Sequence, residues 1–486
     1  MLRLSLSVAL AFAPALNAQE WPQFRGPGGL GVAGSTSIPN ALGPDQNVLW
    51  STDIPAGHSS PCIVGKCLFI TGFEDGECTV LALDRTTGEI LWKKPFSSSK
   101  LRQYMHPDAV PALPTPVADE ERVIGYFATY GLVALDFDGK LLWEKRLSDP
   151  GHVFGLGSSP LLFDGLLIVA RDGSPEAGIL GLDATDGSEL WRIDRFGFSE
   201  SHGTPFLWRN ADRDELVIGG THRLVSYDLG TGKELWFVDG LTNFPCTTPT
   251  GDDDTLYFAA WSTPNATGRS LWEATFSSLD LSDDEIQDPA VLFKRLDTNR
   301  DGKIYPAEVP ESRAKDSFAF LDRDQSGYWE VPEFVSVSQF TAPGKNLMVA
   351  VARGAEGDAS KKHVRWSHSR GLPYVASPLL HQGRIWLVKS GGIISCLDAK
   401  TGDTIIDRER LEDRGEYYSS PIGAGDKVLF GSAEGTFFIL DGKADELKIL
   451  HSATFDGELF ATPAILDGTV YLRSKTKMWA FAQSSN

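Results

Sequence analysis

The sequence predicts an all-β fold: an eight-bladed β-propeller of four-stranded blades, with a small helical insertion in the fifth blade. Three observations lead to this prediction. A turn-and-tryptophan motif recurs along the chain, eight Ser/Thr-Pro dipeptides precede apolar strands, and one acidic segment interrupts the series. Outside the interrupted unit the starts lie roughly 40 to 55 residues apart, the period of a propeller blade of four strands.

Each blade is predicted to begin at a Ser or Thr followed by Pro, at the head of an apolar strand. Eight such dipeptides imply eight blades, because a propeller repeats one sheet around a central channel. They are Ser60-Pro61, Thr115-Pro116, Ser159-Pro160, Thr204-Pro205, Thr248-Pro249, Ser377-Pro378, Ser420-Pro421 and Thr462-Pro463.

The third and fourth strands of a blade are joined by the motif L-D-x-x-T-G-x-x-L-W, best preserved at 83–92, 182–191 and 227–236. The Asp side chain accepts N–H groups of the turn that it opens, and Gly supplies the left-handed position. The Trp then buries a large ring between neighbouring blades. Asp84 and Asp183 are therefore predicted to be structural and not catalytic.

The two ends of the chain are predicted to complete one blade together. The last unit, Phe460 to Phe481, has three strands and lacks a fourth. Asn47 to Trp50 is an outer strand that stands before the first unit without a blade of its own. Pairing these two segments closes the ring and removes an exposed sheet edge.

The fifth blade is split by an insertion that carries two calcium-loop motifs. Its second strand is expected at 255–260 and its third at Asn346 to Val351. Between them, Asp297 to Glu308 and Asp322 to Glu333 fit the EF-hand template D-x-[DN]-x-[DN]-G-x5-E, with Ser326 as the fifth-position oxygen of the second loop. We therefore expect a small α-helical EF-hand pair with short helices.

Ca²⁺ prefers six to eight oxygen ligands, which the two loops can supply from positions 1, 3, 5, 7 and 12. Two Ca²⁺ sites are predicted, and the alternative is an acidic loop exposed to solvent. Position 7 contributes its backbone carbonyl. The predicted ligands are Asp297, Asn299, Asp301, Lys303 and Glu308 in the first loop, and Asp322, Asp324, Ser326, Tyr328 and Glu333 in the second.

The N-terminal residues predict export. Arg3 precedes the apolar run Leu4 to Leu16, and Ala18 provides a small cleavage residue, so residues 1–18 are expected to be a signal peptide and the mature protein periplasmic or extracellular. No later run is long enough to span a membrane. The remaining predicted divisions are an N-terminal segment at 19–46, the propeller at 47–260 and 342–483, and the EF-hand insertion at 261–341.

Composition excludes one class of partner. The 486 residues carry 45 Lys and Arg against 65 Asp and Glu, which gives a formal net charge of −20. No basic surface is indicated that could neutralise phosphates, so nucleic acid is not expected as a partner. The charged fraction of 23% and apolar fraction of 42% are those of a globular protein, and a monomer is expected.

The five cysteines are too few for a disulfide framework. Alignment of 60–67 with 159–167 places Val64 and Gly65 in a two-residue hairpin turn, with Cys62 directly opposite Cys67. Directly opposed residues lie within disulfide range, and export would permit the bond. The alternative is that both cysteines are small apolar residues packed in a strand pair.

With these motifs the chain resembles the bacterial PQQ-like β-propeller family, over residues 21 to 483. The tryptophan repeat and the opening Trp21 to Pro27 carry the resemblance. The family includes an exported outer-membrane assembly propeller and the quinoprotein alcohol dehydrogenases. The latter hold PQQ with a vicinal disulfide, a Trp and a Ca²⁺ on the inner strands. No two cysteines are adjacent here and the calcium motifs lie in the insertion, so PQQ is not expected.

Polar and aromatic residues recur just before the Ser/Thr-Pro starts. Inner strands line the channel of a propeller, so these residues should surround one entrance although they are scattered in sequence. They could bind a sugar, a peptide end or a metal, whereas a single His is more often a hydrogen-bonded loop residue. They are His58, His152, His202, Phe244, Tyr374, Tyr417 and Tyr418.

The sequence thus favours an exported, calcium-binding propeller that acts as a binding or assembly module for an unknown protein or carbohydrate. The alternative is an enzyme on the same scaffold, either a PQQ-dependent oxidoreductase or a hydrolase or lyase at the His-lined mouth. No Ser-His-Asp order, phosphate-binding Gly loop or H-E-x-x-H motif supports the alternative.

Overall fold

A computed structural model describes residues 20–34, 37–97, 110–148, 155–173, 177–195, 198, 201–262, 275–316, 318–322, 326–335 and 344–483. It confirms the predicted fold class: the described residues form eight blades, each a sheet of four antiparallel strands, and in the first seven blades these strands follow sequence order from the channel outward. One short extra strand extends the fourth sheet. Among the described residues, no helix has the length and apolar character needed to cross a membrane.

The strands of the first four blades run outward from the channel. They are β2 Cys62–Val64, β3 Cys67–Glu74, β4 Glu77–Asp84 and β5 Ile90–Ser97 in blade 1; β6 Val117–Ala118, β7 Arg122–Phe127, β8 Gly131–Asp136 and β9 Leu141–Arg146 in blade 2; β10 Leu161–Phe163, β11 Leu166–Arg171, β12 Gly178–Asp183 and β13 Glu189–Asp194 in blade 3; and β14 Phe206–Arg209, β15 Asp214–Gly220, β16 Arg223–Asp228 and β17 Glu234–Asp239, joined by β23 Gly357–Asp358, in blade 4.

Blades 5 to 8 repeat this order, and blade 8 is completed by the first strand of the chain. They contain β18 Thr250–Gly251, β19 Thr255–Ala260, β22 Leu347–Ala352 and β24 Val364–His368; β25 Leu379–His381, β26 Arg384–Lys389, β27 Ile393–Asp398 and β28 Thr404–Arg410; β29 Ile422–Ala424, β30 Lys427–Gly431, β31 Thr436–Asp441 and β32 Ile449–Thr454; and β33 Ala464–Leu466, β34 Thr469–Arg473, β35 Lys477–Phe481 and β1 Val48–Asp53.

The hydrophobic core lies between neighbouring blades. The middle strands are buried on both faces, so β7 is buried at all six residues and does not alternate. Phe69 of blade 1, for example, packs 5.2 Å from Phe137 of blade 2, between ring centroids. Outer strands such as β5 largely alternate between exposed and partly buried residues, because successive side chains point to opposite faces and one face is open to solvent.

The predicted pairing of Cys62 with Cys67 is wrong. The turn of the first hairpin is formed by Gly65 and Lys66, one residue later than expected, so Val64 faces Cys67 and Cys62 faces Phe69. A one-residue slip removes the direct opposition that a disulfide requires. Both cysteines are free thiols buried in the apolar cluster between blades 1 and 2, as the alternative interpretation expected.

Four outer-strand tryptophans, Trp50, Trp92, Trp143 and Trp366, dock on the turn of the following blade, whereas the Trp236 indole donates to Glu215 of its own blade. The Trp50 indole N–H donates to the Arg85 carbonyl at 3.0 Å, and an added Cβ at Gly88 would lie 2.5 Å from the Trp50 ring. Gly88 has φ +75°, which glycine adopts without strain. The aspartate of the same turn, Asp84, accepts the amide of Thr86 at 2.8 Å. Equivalent indole bonds join Trp92 to Phe137, Trp143 to Ala184 and Trp366 to Ala399.

The Ser and Thr residues of the eight Ser/Thr-Pro starts form a closed ring of hydrogen bonds around the channel, called here the hydroxyl ring. In every blade the amide of the Ser or Thr donates to the hydroxyl oxygen of the equivalent residue in the next blade, at 2.9 to 3.1 Å. The ring closes where the Thr462 amide donates to Ser60 Oγ at 3.0 Å. In chain order the members are Ser60, Thr115, Ser159, Thr204, Thr248, Ser377, Ser420 and Thr462.

The two ends of the chain complete blade 8, since β1 pairs antiparallel with β35. Before β1, the N-terminal strap, residues 20–33, contacts blades 1, 4, 6 and 7 around the channel. Trp21 pairs with Ile63 of blade 1, and the Gly31 carbonyl accepts the Gly423 amide of blade 7 at 2.8 Å. Between them, Arg25 is fully buried and donates to the Pro378 carbonyl at 2.7 Å. The strap therefore crosses the channel.

The insertion in blade 5 lies between β19 and β22, which pair directly. It contains the short helices α1 Asp283–Gln287, α2 Pro289–Leu296, α3 Arg313–Asp316 and α4 Phe318–Leu321, and residues 331–335 are helical. β20 Lys303–Ile304 pairs with β21 Trp329–Glu330. The apolar side chains of the insertion form a cluster of their own around Phe293, Trp329 and Phe334.

Candidate binding site at the channel mouth

The channel opens into a cavity of about 310 Å³ at the end where the inner strands begin. A volume of this size lies at the lower end of the range for small-molecule sites. The loops that connect one blade to the next form its wall. The lining residues are Phe24, His58, Ser60, Leu113, Thr115, Gly155, Gly157, Ser159, His202, Thr204, Phe244, Cys246, Thr248, Tyr374, Val375, Ser377, Tyr418, Ser420, Phe460 and Thr462.

The structure brings most of the predicted mouth residues together. His58, His202, Tyr374 and Tyr418 all line the cavity, together with Phe244. The predicted His152 lies outside the described residues. The expectation for Tyr417 is wrong: this neighbour of Tyr418 points into the core between blades 6 and 7, where its hydroxyl donates to the Asp413 carbonyl at 2.9 Å.

The wall of the cavity consists of paired aromatic rings. His58 lies 4.5 Å from Phe460 and His202 lies 5.0 Å from Phe244, measured between ring centroids. Tyr418 approaches Phe460 edge-on at 4.8 Å. These contacts order the imidazoles against flat apolar surfaces, so the cavity offers stacking surfaces with a polar edge.

The base of the cavity combines the hydroxyl ring with Phe24 of the strap. All eight ring residues line the cavity, and Phe24 also borders a small void between the strap and blades 3 to 5. From the sequence, the Ser/Thr residues were predicted only as strand starts, and neither Phe24 nor Phe460 was predicted to line the cavity. The recurring hydroxyl at one blade position is a signal that could have identified the ring.

Within the described residues, the lining contains no Asp, Glu, Lys, Arg, Asn or Gln side chain. Two buried arginines lie behind the wall. Arg195 forms a buried ion pair with Asp172 at 2.7 Å and also donates to the Tyr227 hydroxyl at 2.8 Å. Arg473 is fully buried, donates to the Ser59 carbonyl at 3.0 Å, and has its pKa lowered to about 9 by burial. These bonds hold the mouth loops in place.

The first loop of the insertion is folded around its aspartate. Asp297 accepts the amides of Asp301 at 3.2 Å and Gly302 at 3.0 Å, and Gly302 has φ +81°. Glu308 accepts the amides of Thr298 and Tyr305, both at 3.0 Å. Bonds to backbone amides, the one from Tyr305 foremost, lower the pKa of the Glu308 carboxyl, which keeps it ionised.

The second loop repeats this arrangement. Asp322 accepts the amides of Ser326 at 3.0 Å and Gly327 at 2.9 Å. Glu333 is buried, and Asp324 lies outside the described residues. Where the structure describes the chain, no three His, Cys, Asp or Glu side chains converge to hold a metal ion. In the first loop the carboxylates of Asp297 and Glu308 accept backbone amides instead.

Comparison with known proteins identifies the family. Residues 36–287 and 265–485 match the family described as outer membrane protein assembly factor BamB, which covers most of the chain. The chain belongs to the BamB family. This confirms the resemblance to PQQ-like propellers. Among curated BamB proteins, that of Burkholderia pseudomallei (strain K96243) is 30% identical over 206 residues, which is 41% of this chain and 50% of that protein. The chain thus spans about half of that BamB.

Solved structures support the fold alone, because their sequence identity is low. BamB from Moraxella catarrhalis superposes with a TM-score of 0.54 at 13% identity, covering 90% of this chain and 99% of that one. A europium-containing methanol dehydrogenase superposes with a TM-score of 0.58 at 10% identity, covering 96% and 99%. An assembly factor and a dehydrogenase therefore share the propeller of this BamB-family chain, and the fold does not separate their functions.

Proposed function

We propose that this BamB-family chain is an exported binding or assembly module that engages a partner at the channel mouth. The observation that carries the proposal is the cavity of about 310 Å³, with its wall of ordered aromatic and imidazole rings. A preformed, mostly apolar concavity with a few convergent polar groups is the usual form of a binding site. Residues 1–18 would be its export signal.

We further propose that the insertion binds two Ca²⁺ ions. The position-1 aspartates Asp297 and Asp322 bond to the same pair of loop amides in both loops, and β20 pairs with β21 between the loops. Asn299 and backbone carbonyls supply oxygen ligands beyond the carboxylates. Glu308 would exchange its bonds to Thr298 and Asn299 for the ion. The two ions would stabilise the insertion.

PQQ does not fit the mouth. In the family enzymes PQQ is held by a vicinal disulfide, a Trp and a Ca²⁺ site. The described lining contains one cysteine, Cys246, and no Trp, Lys, Arg, Asn, Asp or Glu. The described residues therefore favour a binding role over a quinone-dependent reaction.

The proposal is tested by partner capture in the native host. Val375 lines the cavity, so Val375→Trp should fill it without changing the hydroxyl ring. Lys400→Trp lies in the turn between β27 and β28, at the opposite end of the blades, and serves as the control. We expect cross-linking and mass spectrometry to show one partner that is lost from Val375→Trp and kept by Lys400→Trp. Equal recovery from all three proteins would contradict a role for the mouth.

A further inference from the structure

The hydroxyl ring has donor capacity that the fold does not use. A Ser or Thr hydroxyl has one O–H donor and two acceptor lone pairs. In each of the eight ring residues one lone pair accepts the amide of the preceding blade, as between the Ser159 amide and Thr204 Oγ1 at 3.0 Å. Among the described residues, no ring hydroxyl donates its own proton to a protein acceptor.

These donors are buried and they converge. Each ring residue is at most 7% exposed, and all eight line the same cavity. Because the ring follows the symmetry of the propeller, its O–H dipoles can all turn toward the channel axis. A buried donor without an acceptor costs roughly 1 to 3 kcal/mol. Eight such donors together favour a ligand that is rich in acceptors.

The other lining groups restrict the ligand further. Within the described part of the chain no carboxylate or amide side chain lines the cavity, so a ligand with many donors, such as a sugar, would meet only hydroxyl, imidazole and backbone acceptors and none of the strong ones. A metal cation would leave the O–H donors unsatisfied. Above the ring, Phe244, Phe460, Leu113 and Val375 offer apolar surface. The geometry therefore matches a ligand with an anionic acceptor group and an apolar body.

We propose that the mouth binds the carboxylate of an apolar acid, with the carboxylate at the hydroxyl ring and the apolar body against Phe244 and Phe460. Hydrogen bonds to a charged acceptor are stronger than neutral ones, so several ring hydroxyls acting together can offset the cost of placing a carboxylate in a lining whose described residues include no Lys or Arg. The acid is either a small free molecule or the C-terminal end of a peptide. This inference rests on the proposed binding role of the mouth.

The test compares ligands that differ only at the acid. Calorimetric titration of the full-length protein should show saturable binding of 3-phenylpropionate, and at least tenfold weaker binding of 3-phenylpropanol. The tripeptide Ala-Ala-Phe, with a free or an amidated C-terminus, separates the two sources. If the peptide with a free C-terminus binds more tightly than 3-phenylpropionate, the ligand is the C-terminal end of a peptide. If 3-phenylpropionate binds more tightly, the ligand is a small free acid.

Matched variants locate the contact. Thr204→Val removes one ring hydroxyl at nearly constant shape and should weaken binding of 3-phenylpropionate about tenfold, as expected for a hydrogen bond to a charged group. Thr52→Val removes a hydroxyl on β1, away from the mouth, and should leave affinity unchanged. Val375→Phe fills the cavity without touching the ring and should abolish binding even if Thr204→Val folds poorly.

Equal affinity for the acid and the alcohol, or equal losses in Thr204→Val and Thr52→Val, would overturn the proposed ligand class. Absence of saturable binding by any acid would also overturn it. If no acid binds but Val375→Trp still loses its captured partner, the proposed ligand class is wrong and the proposed binding role of the mouth stands. If no acid binds and Val375→Trp keeps the partner, both proposals are wrong.

Discussion

At the scale of single residues, the repeat motif is explained by contacts between blades. Two features of the turn require glycine: its φ is positive, and the tryptophan of the preceding blade covers its Cα. Gly88, Gly139 and Gly402 would all place an added Cβ within 3 Å of a Trp ring. The glycine and the tryptophan of the motif therefore belong to one docking contact, which recurs at several blade junctions.

Gly88→Ala should destabilise the protein much more than Gly165→Ala. Both glycines have φ near +75°, so each substitution costs about 1 to 2 kcal/mol of backbone strain. At Gly165 nothing lies within 4 Å of an added Cβ, whereas at Gly88 the Trp50 ring is displaced, which adds about 1 to 3 kcal/mol. Urea unfolding measures the difference, and equal losses would show that the docking contact contributes little.

His381 is a buried residue whose titration affects stability. Its Nε2 donates to the Gly425 carbonyl at 2.7 Å, and burial lowers the pKa of the imidazole below its ordinary value. The folded state therefore binds the proton less tightly than the unfolded state does. The contribution of His381 to stability is complete above the unfolded pKa of about 6.5 and is lost as pH falls through the folded pKa.

His381→Gln should reduce this dependence on pH. Glutamine can donate to the Gly425 carbonyl and does not titrate, so the variant should lose less stability than the wild type as pH falls below about 6.5. Urea unfolding between neutral and mildly acidic pH measures the free energy of both proteins. Parallel curves over that interval would contradict the assignment to His381.

At the scale of the elements, the inner strands are held together by the hydroxyl ring. Proline follows each ring residue, and the backbone amide of the ring residue donates to the hydroxyl oxygen of the equivalent residue in the next blade. The Ser377 amide, for example, bonds to Ser420 Oγ at 3.0 Å. The same hydroxyls that join the blades also form the base of the cavity. One repeated dipeptide therefore serves both the assembly of the ring and the chemistry of its mouth.

Ser420→Ala should cost about 1 to 3 kcal/mol of folding free energy, because it leaves the buried Ser377 amide without its acceptor. Ser452→Ala provides the matched control, since this serine is exposed on β32 and its loss should change stability by less than about 0.5 kcal/mol. Chemical denaturation of the two variants measures the difference. A cost for Ser420→Ala no larger than that of the control would show that the ring adds little stability.

At the scale of the whole molecule, the propeller and the insertion have separate cores. The apolar cluster around Phe293 and Trp329 contains residues of the insertion alone, whereas the other clusters join neighbouring blades. The propeller is closed by β1 and β35 and by the hydroxyl ring, neither of which involves the insertion. Loss of order in the insertion should therefore leave the propeller folded.

Calcium titration of the chelated protein should show two sites, and Glu308→Gln and Glu333→Gln should each remove one, because position 12 supplies two ligand oxygens. Glu311→Gln, outside both loops, should change neither. In calorimetry the chelated protein should lose a transition of the insertion and keep that of the propeller. A single transition shifted by calcium would contradict the independence of the two units.

Much of the propeller fold could be predicted because it depends on short motifs that recur along the sequence. Asp84, Gly88 and Trp92 are close in sequence, so their spacing reports a turn and an outer strand directly. The register of the first hairpin could not be predicted reliably, since Val64-Gly65 and Gly65-Lys66 are both acceptable turns. Packing between blades 1 and 2 decides it, because Cys62, Val64, Cys67 and Phe69 must face the same core.

The sequence by itself determined the number of blades, the strand that closes the ring and the place of the calcium-loop motifs, because each follows from short motifs and from where they recur or are missing along the chain. The tertiary structure alone decided which side chains meet in the channel. The eight hydroxyls come from positions up to 402 residues apart, and Phe24 reaches the cavity from a strap that no repeat describes. Only closure of the ring brings these groups together, since convergence on an axis is a property of the assembled blades.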